Sequence, residues 1–189
     1  MHFDHQNSDM LMCLEKHHAE LHILIDVQTK NITTAFSCLP IPQMTQSPQD
    51  WFIATCSTQL SSGFAWWNAF FVSTQWWTNY CFHSNQIGAW NWWWSMIQLP
   101  RKAKPTHLEI GARKNETSNN LRPIRAFELQ GSNDWTNFTT IFSQSWLWNS
   151  RSIGSVKSWD FTNNNSYLYF RLRVQANSSY VAFDYWNIQ

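Results

Sequence analysis

Alternation of apolar and polar residues marks a series of strands beyond residue 40. Around residue 128, Phe127 and Leu129 point to one side of the chain and Glu128 and Gln130 to the other, which is the period-two pattern of a half-buried strand. The predicted strands are 50–58, 94–99, 107–113, 126–131, 138–143, 157–161, 167–174 and 180–188. Eight short strands in this order predict an all-β fold, a two-sheet jelly-roll sandwich.

The first forty residues carry a different, helical pattern. Apolar residues and one histidine recur at three- and four-residue spacing, at Leu11, Leu14, His18, Leu21 and Ile25. This spacing predicts a helix that begins near Met10. Such a helix could form a short coiled-coil stem that brings several copies of the chain together. It could equally well pack on its own domain. The strand-forming residues of 22–27 indicate that the helix ends before them.

Two prolines, Pro40 and Pro42, mark the boundary between this segment and the rest. Proline lacks a backbone donor and pushes the residue before it into extended geometry. We therefore divide the chain into an N-terminal extension over 1–40, helical or irregular, and a β-sandwich domain over 41–189. A length of 189 residues suits one domain with a short appendage.

The predicted hairpin around Ser132 contains the most specific sequence motif of the chain. Ser132, Asn133 and Asp134 supply its turn, because Asn and Asp tolerate left-handed backbone. The segment GSNDWTNF at 131–138 resembles the GSNDGxxW hairpin of discoidin-like domains, also called coagulation factor 5/8 type C or galactose-binding-like modules. Further segments are similar to that family in the same order: AFFV at 69–72, WSMIQLP at 94–100, YFRL at 169–172 and YVAF at 180–183.

The resemblance spans roughly residues 42 to 189 and implies a galactose-binding-like sandwich, closest in wording to phage and bacterial carbohydrate-binding examples. Family members often hold a structural calcium ion with an Asp of the Ala-Phe-Asp-Gly stretch and a Glu near the last strand. Phe71 and Tyr185 stand at these two positions here. Because a hard cation needs such anionic ligands, we predict no calcium. His18 and His22 share a face of the predicted helix but lack a third ligand, so we predict no other metal and no cofactor.

The resemblance also implies where a ligand binds. Sugar-binding relatives use loops at one end of the sandwich, where an aromatic ring stacks on the sugar and Arg, Asn and His donate to its hydroxyls. Arg113 matches the arginine that such modules often place at a strand end before a loop Asn. The implied ligand-binding set is Trp76, Trp77, Asn79, His83, Arg113, Asn115 and Asn119. Thr78 departs from the family, which often has His there.

A second interpretation of the same residues is structural. In it, Trp76 or Trp77 fills the end of the sandwich and Arg113 pairs with a nearby carboxylate. Close by in the sequence, Trp90, Trp92 and Trp93 flank Trp94, which we expect in the core. At least one of these neighbours should be exposed, because alternate strand residues face opposite sides, and exposed tryptophans are typical of a contact surface.

The composition of the chain argues against several classes of binding partner. Only 13% of residues are charged and the formal net charge is +1, so no basic surface for nucleic acid or anionic membrane is predicted. No run approaches the roughly 18–20 apolar residues of a membrane span, and the first thirty residues lack a secretory signal peptide. The cysteines Cys13, Cys38, Cys56 and Cys81 form no close CxxC pair, which argues against zinc and favours reduced thiols.

Enzyme signatures are missing from the sequence. It has no Gly-rich phosphate loop, no GxSxG elbow and no HExxH helix, so we predict that the chain is not an enzyme. We expect a non-catalytic module that recognises a glycan or cell-surface receptor, as in a phage tail fibre or microbial adhesin, on a virion or cell surface and oligomeric through its N-terminal segment. The alternative is a structural or assembly protein, acting inside the cell, whose sandwich contacts other protein subunits without binding sugar.

Overall fold

The structure of the chain is a computed structural model. It describes residues 22–26, 31–35, 41–70, 82–85, 92–114, 124–145, 154–176 and 180–189. The chain divides into two compact units, Met1–Leu39 and Pro40–Gln189. Each unit is described by itself below.

The first unit contains an antiparallel pair of strands, β1 (His22–Asp26) and β2 (Asn31–Ala35). Ile25, which the helical spacing includes, lies in β1 and pairs with Ile32, so the strand-forming character of 22–27 and not the helical spacing describes this position. His22 is also in this strand, and the predicted helical pairing of His18 with His22 is therefore wrong. β-Branched residues are frequent in both strands, which favours extended backbone. The part of the predicted helix before residue 22 lies outside the described residues.

The second unit is built from two antiparallel sheets. Its strands are β3 (Ile53–Cys56), β4 (Phe82–His83), β5 (Trp92–Ala103), β6 (His107–Ala112), β7 (Ile124–Ser132), β8 (Thr139–Ser145), β9 (Val156–Asp160), β10 (Tyr167–Ala176) and β11 (Ala182–Ile188). The strand order is β3-β5-β10-β7-β8 in the five-stranded sheet and β4-β11-β6-β9 in the four-stranded sheet. Two short 3₁₀ helices, Ser62–Phe64 and Trp66–Phe70, follow β3. The two sheets form the predicted sandwich, and each of the eight predicted strands is present.

Aromatic side chains fill the space between the sheets. The ring of Phe82 stacks on that of Trp93 at 4.1 Å between centroids, and Phe183 packs against both rings. Trp186 lies 4.9 Å from Phe70 between ring centroids. All five side chains are buried, and large aromatic residues bury about 150–250 Å² each. They hold the two sheets together.

The prediction that Trp94 belongs to the core is wrong, because the core residue is Trp93. The relative exposure of Trp93 is 0%, whereas Trp92 and Trp94 are half-buried. The direction of the side chains explains the difference. Ser95 faces the other sheet, since the indole N–H of Trp186 in β11 donates to Ser95 Oγ at 3.0 Å. Alternate residues of a strand share a face, so Trp93 faces the core together with Ser95. Trp92 lies on the opposite face, under the guanidinium of Arg173 at 4.5 Å.

The hairpin between β7 and β8 has its polar turn at the expected place but with different backbone roles. The left-handed residue is Trp135, with φ of 67°, and neither Asn133 nor Asp134 adopts that region. Asp134 acts through its side chain, since its carboxylate accepts from the backbone N–H groups of Thr136 at 3.0 Å and Asn137 at 2.8 Å. These bonds replace the backbone bonds that a tight turn leaves unmade.

Strand register places several loops at one end of the sandwich. Phe82 and Ala112 both pair with Phe183 in the four-stranded sheet, and Phe82 stacks on Trp93 near the start of β5. Arg113, which directly follows β6, therefore lies at the same end of the sandwich as the start of β5. We call this end the Arg113 end.

The opposite end of the sandwich carries the start of β3. Cys56 pairs with Ser95 and Ile53 with Gln98, so β3 runs toward the Arg113 end. Trp51, which precedes β3, lies at the far end. We call that end the Trp51 end.

Candidate functional site

Three aromatic rings and one guanidinium meet at the Arg113 end. The guanidinium carbon of Arg113 lies 5.5 Å from the ring centroid of Phe64, within the range of a cation-π contact. The Phe64 ring is 5.4 Å from that of His83, and His83 is 5.4 Å from Tyr180. We call these four residues the Arg113 cluster. They come from the first 3₁₀ helix, β4, the end of β6 and the segment before β11.

His83 organises the middle of the cluster. Its relative exposure is 2%, and its Nδ1 lies 2.7 Å from the carbonyl oxygen of Ser84. A carbonyl only accepts, so Nδ1 carries the proton and donates, and a neutral ring then has its acceptor at Nε2. The backbone carbonyl of His83 accepts from the N–H of Leu60 at 2.9 Å. The ring is therefore fixed between Phe64 and Tyr180.

Tyr180 is held by hydrogen bonds of its neighbours. The backbone N–H of Ser84 donates to the carbonyl of Val181 at 2.9 Å. In return, the N–H of Val181 donates to Ser84 Oγ at 2.9 Å. This reciprocal pair joins β4 to the residues that precede β11. It keeps the half-buried Tyr180 ring beside His83.

A buried carboxylate holds the backbone that follows Arg113. Asp184, at 4% exposure, accepts from the backbone N–H of Lys114 at 3.3 Å, and its Oδ2 lies 3.6 Å from Lys114 Nζ. Burial raises the pKa of Asp184, and the charges of Lys114 and Arg113 only partly oppose this. On the other side, the N–H of Gly154 donates to the Arg113 carbonyl at 3.1 Å. The position of Arg113 is thus set by partners on two neighbouring segments.

Two of the seven predicted ligand-binding residues, His83 and Arg113, are described, and Phe64 bridges them. The other five lie outside the described residues, namely Trp76, Trp77, Asn79, Asn115 and Asn119. The carboxylate of Asp184 makes its ion pair with Lys114, and the charge of Arg113 lowers the pKa of Asp184 as well, against the larger effect of burial. The role of the seven residues in binding stays a prediction.

Phe64 and Tyr180 are members of the cluster that the sequence patterns did not single out. Phe64 follows a Ser-Ser-Gly run in a loop, and Tyr180 stands just before a predicted core strand. An aromatic residue after a Ser-Gly turn is a weak signal of a loop ring. No signal in the sequence connects two residues so far apart along the chain. The fold brings each of them against His83.

Side chains with reactive or metal-binding potential are few among the described residues. No group of three His, Cys, Asp or Glu side chains there could hold a metal ion. Cys56 is a free thiol, and burial raises its pKa to about 12, so it stays protonated and weakly nucleophilic at neutral pH. The hydroxyl of Tyr185, at the position of the family's calcium-binding Glu, donates to the carboxylate of Glu109. Burial and this hydrogen bond raise the pKa of Tyr185.

Within the part of the chain that the structure describes, no helix has the length and apolar character needed to cross a membrane.

Solved structures with a similar fold include carbohydrate-binding modules and lectins. The family 32 carbohydrate-binding module of Clostridium perfringens NanJ, in complex with galactose, has 15% identity and a TM-score of 0.54 over 72% of this chain and 92% of its own. Chitosan-binding module 1 of a Paenibacillus sp. IK-5 chitosanase/glucanase has 19% identity and a TM-score of 0.52 over 72% and 92%. A fucolectin from Morone saxatilis serum has 15% identity and a TM-score of 0.55 over 72% and 46%.

No family model matches the sequence, and no curated protein matches it. At 15% to 19% identity, the likeness to the solved structures establishes the fold. The galactose-binding-like sandwich that the hairpin wording implied is thereby confirmed. Fold alone does not assign a ligand, because one sandwich hosts many binding roles.

Proposed function

We propose that this chain is a non-catalytic glycan-binding module whose ligand docks on the Arg113 cluster. The observation that carries the proposal is the placement of a guanidinium above a loop ring, with a second half-buried ring close by. Arg113, Phe64 and Tyr180 are each partly accessible. His83 is buried and serves as the support that sets the distance between the rings.

The chemistry of the cluster suits a sugar. The apolar face of a pyranose ring stacks on an aromatic side chain, which removes apolar surface of both partners from water. A guanidinium offers five N–H donors in a fixed plane to hydroxyl oxygens, and hydrogen bonds to a charged group contribute about 1.5–3 kcal/mol each. Together these terms correspond to a binding site of moderate affinity and defined orientation.

The fold comparisons support this proposal. The similar solved structures include modules named for chitosan binding and one in complex with galactose. The low charge of this chain, with 13% of residues charged, is consistent with a neutral ligand. We place the module on a virion or cell surface, in a phage tail fibre or microbial adhesin, with the N-terminal unit as its connection or oligomerising stem.

A glycan array and solution titration test the proposal. Wild-type protein should bind one group of related glycans, and Arg113→Ala should weaken solution affinity at least tenfold, or about 1.4 kcal/mol. Phe64→Ala should weaken it as well, because the stacking ring and the support of the guanidinium are lost. Arg101→Ala is the matched control, since Arg101 is an exposed arginine on β5 away from the cluster, and it should bind like wild type.

A folded protein that gives a blank array contradicts the proposal, as does an Arg113→Ala variant with wild-type affinity. Circular dichroism of each variant separates loss of binding from loss of fold. A blank array together with tight assembly in solution would instead support the structural or assembly function, in which the same end of the sandwich contacts protein.

A further inference from the structure

Trp51 is the most exposed large apolar side chain among the described residues. Its relative exposure is 84%, against 50% for Val156 and 43% for Trp135. A ring that is exposed to this extent contributes almost nothing to the core. The reason for a tryptophan at this position is therefore not the stability of the fold.

The backbone of Trp51 is also unfavourable for its side chain. Gln49 and Phe52 exchange two backbone hydrogen bonds of 3.0 and 2.8 Å, which closes a turn with two central residues. These are Asp50, with φ of 49°, and Trp51, with φ of 66°. Turns with two left-handed central residues favour Asn-Gly, because a bulky L-residue is strained there. A glycine in place of Trp51 would suit the turn better.

Hydrogen bonds and buried side chains hold the turn in place. Gln49 Oε1 accepts from the backbone N–H of Thr45 at 2.8 Å, and Gln49 Nε2 donates to the carbonyl of Gln43 at 3.0 Å. Phe52 and Met44 on either side of the loop are buried. An exposed ring on a fixed support loses little conformational entropy when it binds a partner.

The loop that carries the ring is mostly polar and has one charged residue, Asp50. The other exposed residues of this loop are Gln43, Thr45, Gln46, Pro48 and Asp50. The centre of a protein interface usually gathers several apolar side chains, whereas this loop presents one aromatic ring among amide and hydroxyl groups. This combination matches a sugar, with an apolar face to stack and hydroxyls to accept and donate hydrogen bonds.

We propose that the turn 49–52 is a second carbohydrate-contact site, at which a sugar ring stacks on Trp51. It shares no residue with the Arg113 cluster and lies at the other end of the sandwich. A single copy of the chain would then contact glycans at both ends and bridge two points of a polysaccharide or two chains. One stacked ring with few hydrogen bonds gives weak affinity, with Kd of about 1 mM or above, and binding at both ends adds avidity.

Nuclear magnetic resonance of the ¹⁵N-labelled full chain tests this site, because it detects weak binding at one indole. The Trp51 indole signal is identified by its disappearance in Trp51→Gly. Wild-type protein is titrated with cellohexaose, chitohexaose and a β-linked galactohexaose, each to about ten times the expected Kd. We expect a saturable shift of the Trp51 signal with at least one of them.

Three variants sharpen the result. Trp135→Gly is the matched control, since Trp135 also has a positive φ of 67° and is exposed, and it should retain the Trp51 shift. Arg113→Ala should also retain the shift, which separates this site from the one proposed above. Wild-type protein should cross-link glycan-coated beads, and Trp51→Gly should not. Trp51→Gly should also melt at the wild-type temperature or higher.

The proposal is overturned if the Trp51 signal stays unmoved with all three oligosaccharides. It is also overturned if Trp51→Gly melts at a lower temperature than wild type, because the ring would then be structural. A Trp51 shift without any binding at the Arg113 cluster supports this site and contradicts the proposed function. The converse result keeps the proposed function and removes this site.

Discussion

At the scale of single residues, Gly111 leaves room for a ring of the neighbouring strand. Gly111 pairs with Tyr185 across β6 and β11, and a Cβ at Gly111 would lie 2.5 Å from Tyr185 Cε1. Tyr185 is buried and its hydroxyl is bonded to Glu109, so the ring cannot move freely. We predict that Gly111→Ala lowers the free energy of unfolding by about 1–3 kcal/mol, the usual cost of overpacking. Denaturant unfolding followed by circular dichroism measures it.

Gly63 provides the control for that substitution. A Cβ at Gly63 would have Ser61 Oγ as its nearest described neighbour, at 3.9 Å, which is ordinary contact. Gly63→Ala should change the free energy of unfolding by less than about 0.5 kcal/mol. Equal effects of the two substitutions would contradict the packing explanation.

The buried carboxylate of Asp184 should make the free energy of unfolding depend on pH. Because burial raises its pKa in the folded state, the folded protein binds the Asp184 proton more tightly than the unfolded chain does. The resulting stability is fully present below the ordinary Asp pKa of about 3.9 and is lost as pH rises through the raised value. We predict that wild type gains free energy of unfolding relative to Asp184→Asn as pH falls from 7 toward 4. A difference that is constant with pH would contradict this.

At the scale of elements, the turn between β7 and β8 should show the opposite pH dependence. Hydrogen bonds from Asn137, Thr136 and Ser132 hold the pKa of Asp134 well below its usual range. Its contribution to stability is therefore present above the ordinary Asp pKa and is lost as pH falls through the lowered value. Below pH of about 4, wild type should lose its stability advantage over Asp134→Asn. Melting temperatures of both proteins across the pH series measure this, and a growing advantage would contradict it.

The strands show what the sequence pattern predicts well and what it misses. Long strands such as β7 and β10 have enough residues for period-two alternation, and these were predicted. β4 has two residues, Phe82 and His83, which is too few for any period to be visible. The pattern points to the wrong face of β5 because Trp92, Trp93 and Trp94 are consecutive and the next polar residue, Ser95, is buried. The face is decided by tertiary contacts, namely the burial of Trp93 and the hydrogen bond of Trp186 to Ser95.

At the scale of the whole molecule, the candidate site depends on contacts between distant parts of the chain. Phe64, His83, Arg113 and Tyr180 belong to four separate segments, and the order β4-β11-β6 brings three of these segments together. Arg113 and His83 could be predicted because the family resemblance supplied positions for them. Phe64 and Tyr180 could not, since their contacts with His83 join separate segments of the chain and leave no local pattern.

The division into two units gives the last prediction. The buried aromatic residues that join the sheets, from Phe70 to Trp186, all belong to Pro40–Gln189. This unit has its own core, and compact domains with their own core fold alone. We predict that a fragment of residues 40–189 melts within a few degrees of the full chain. If the N-terminal unit is the proposed stem, the full chain should be oligomeric and the fragment monomeric by light scattering. A full chain that is monomeric would contradict the stem, and a fragment that fails to fold would contradict the independence of the sandwich.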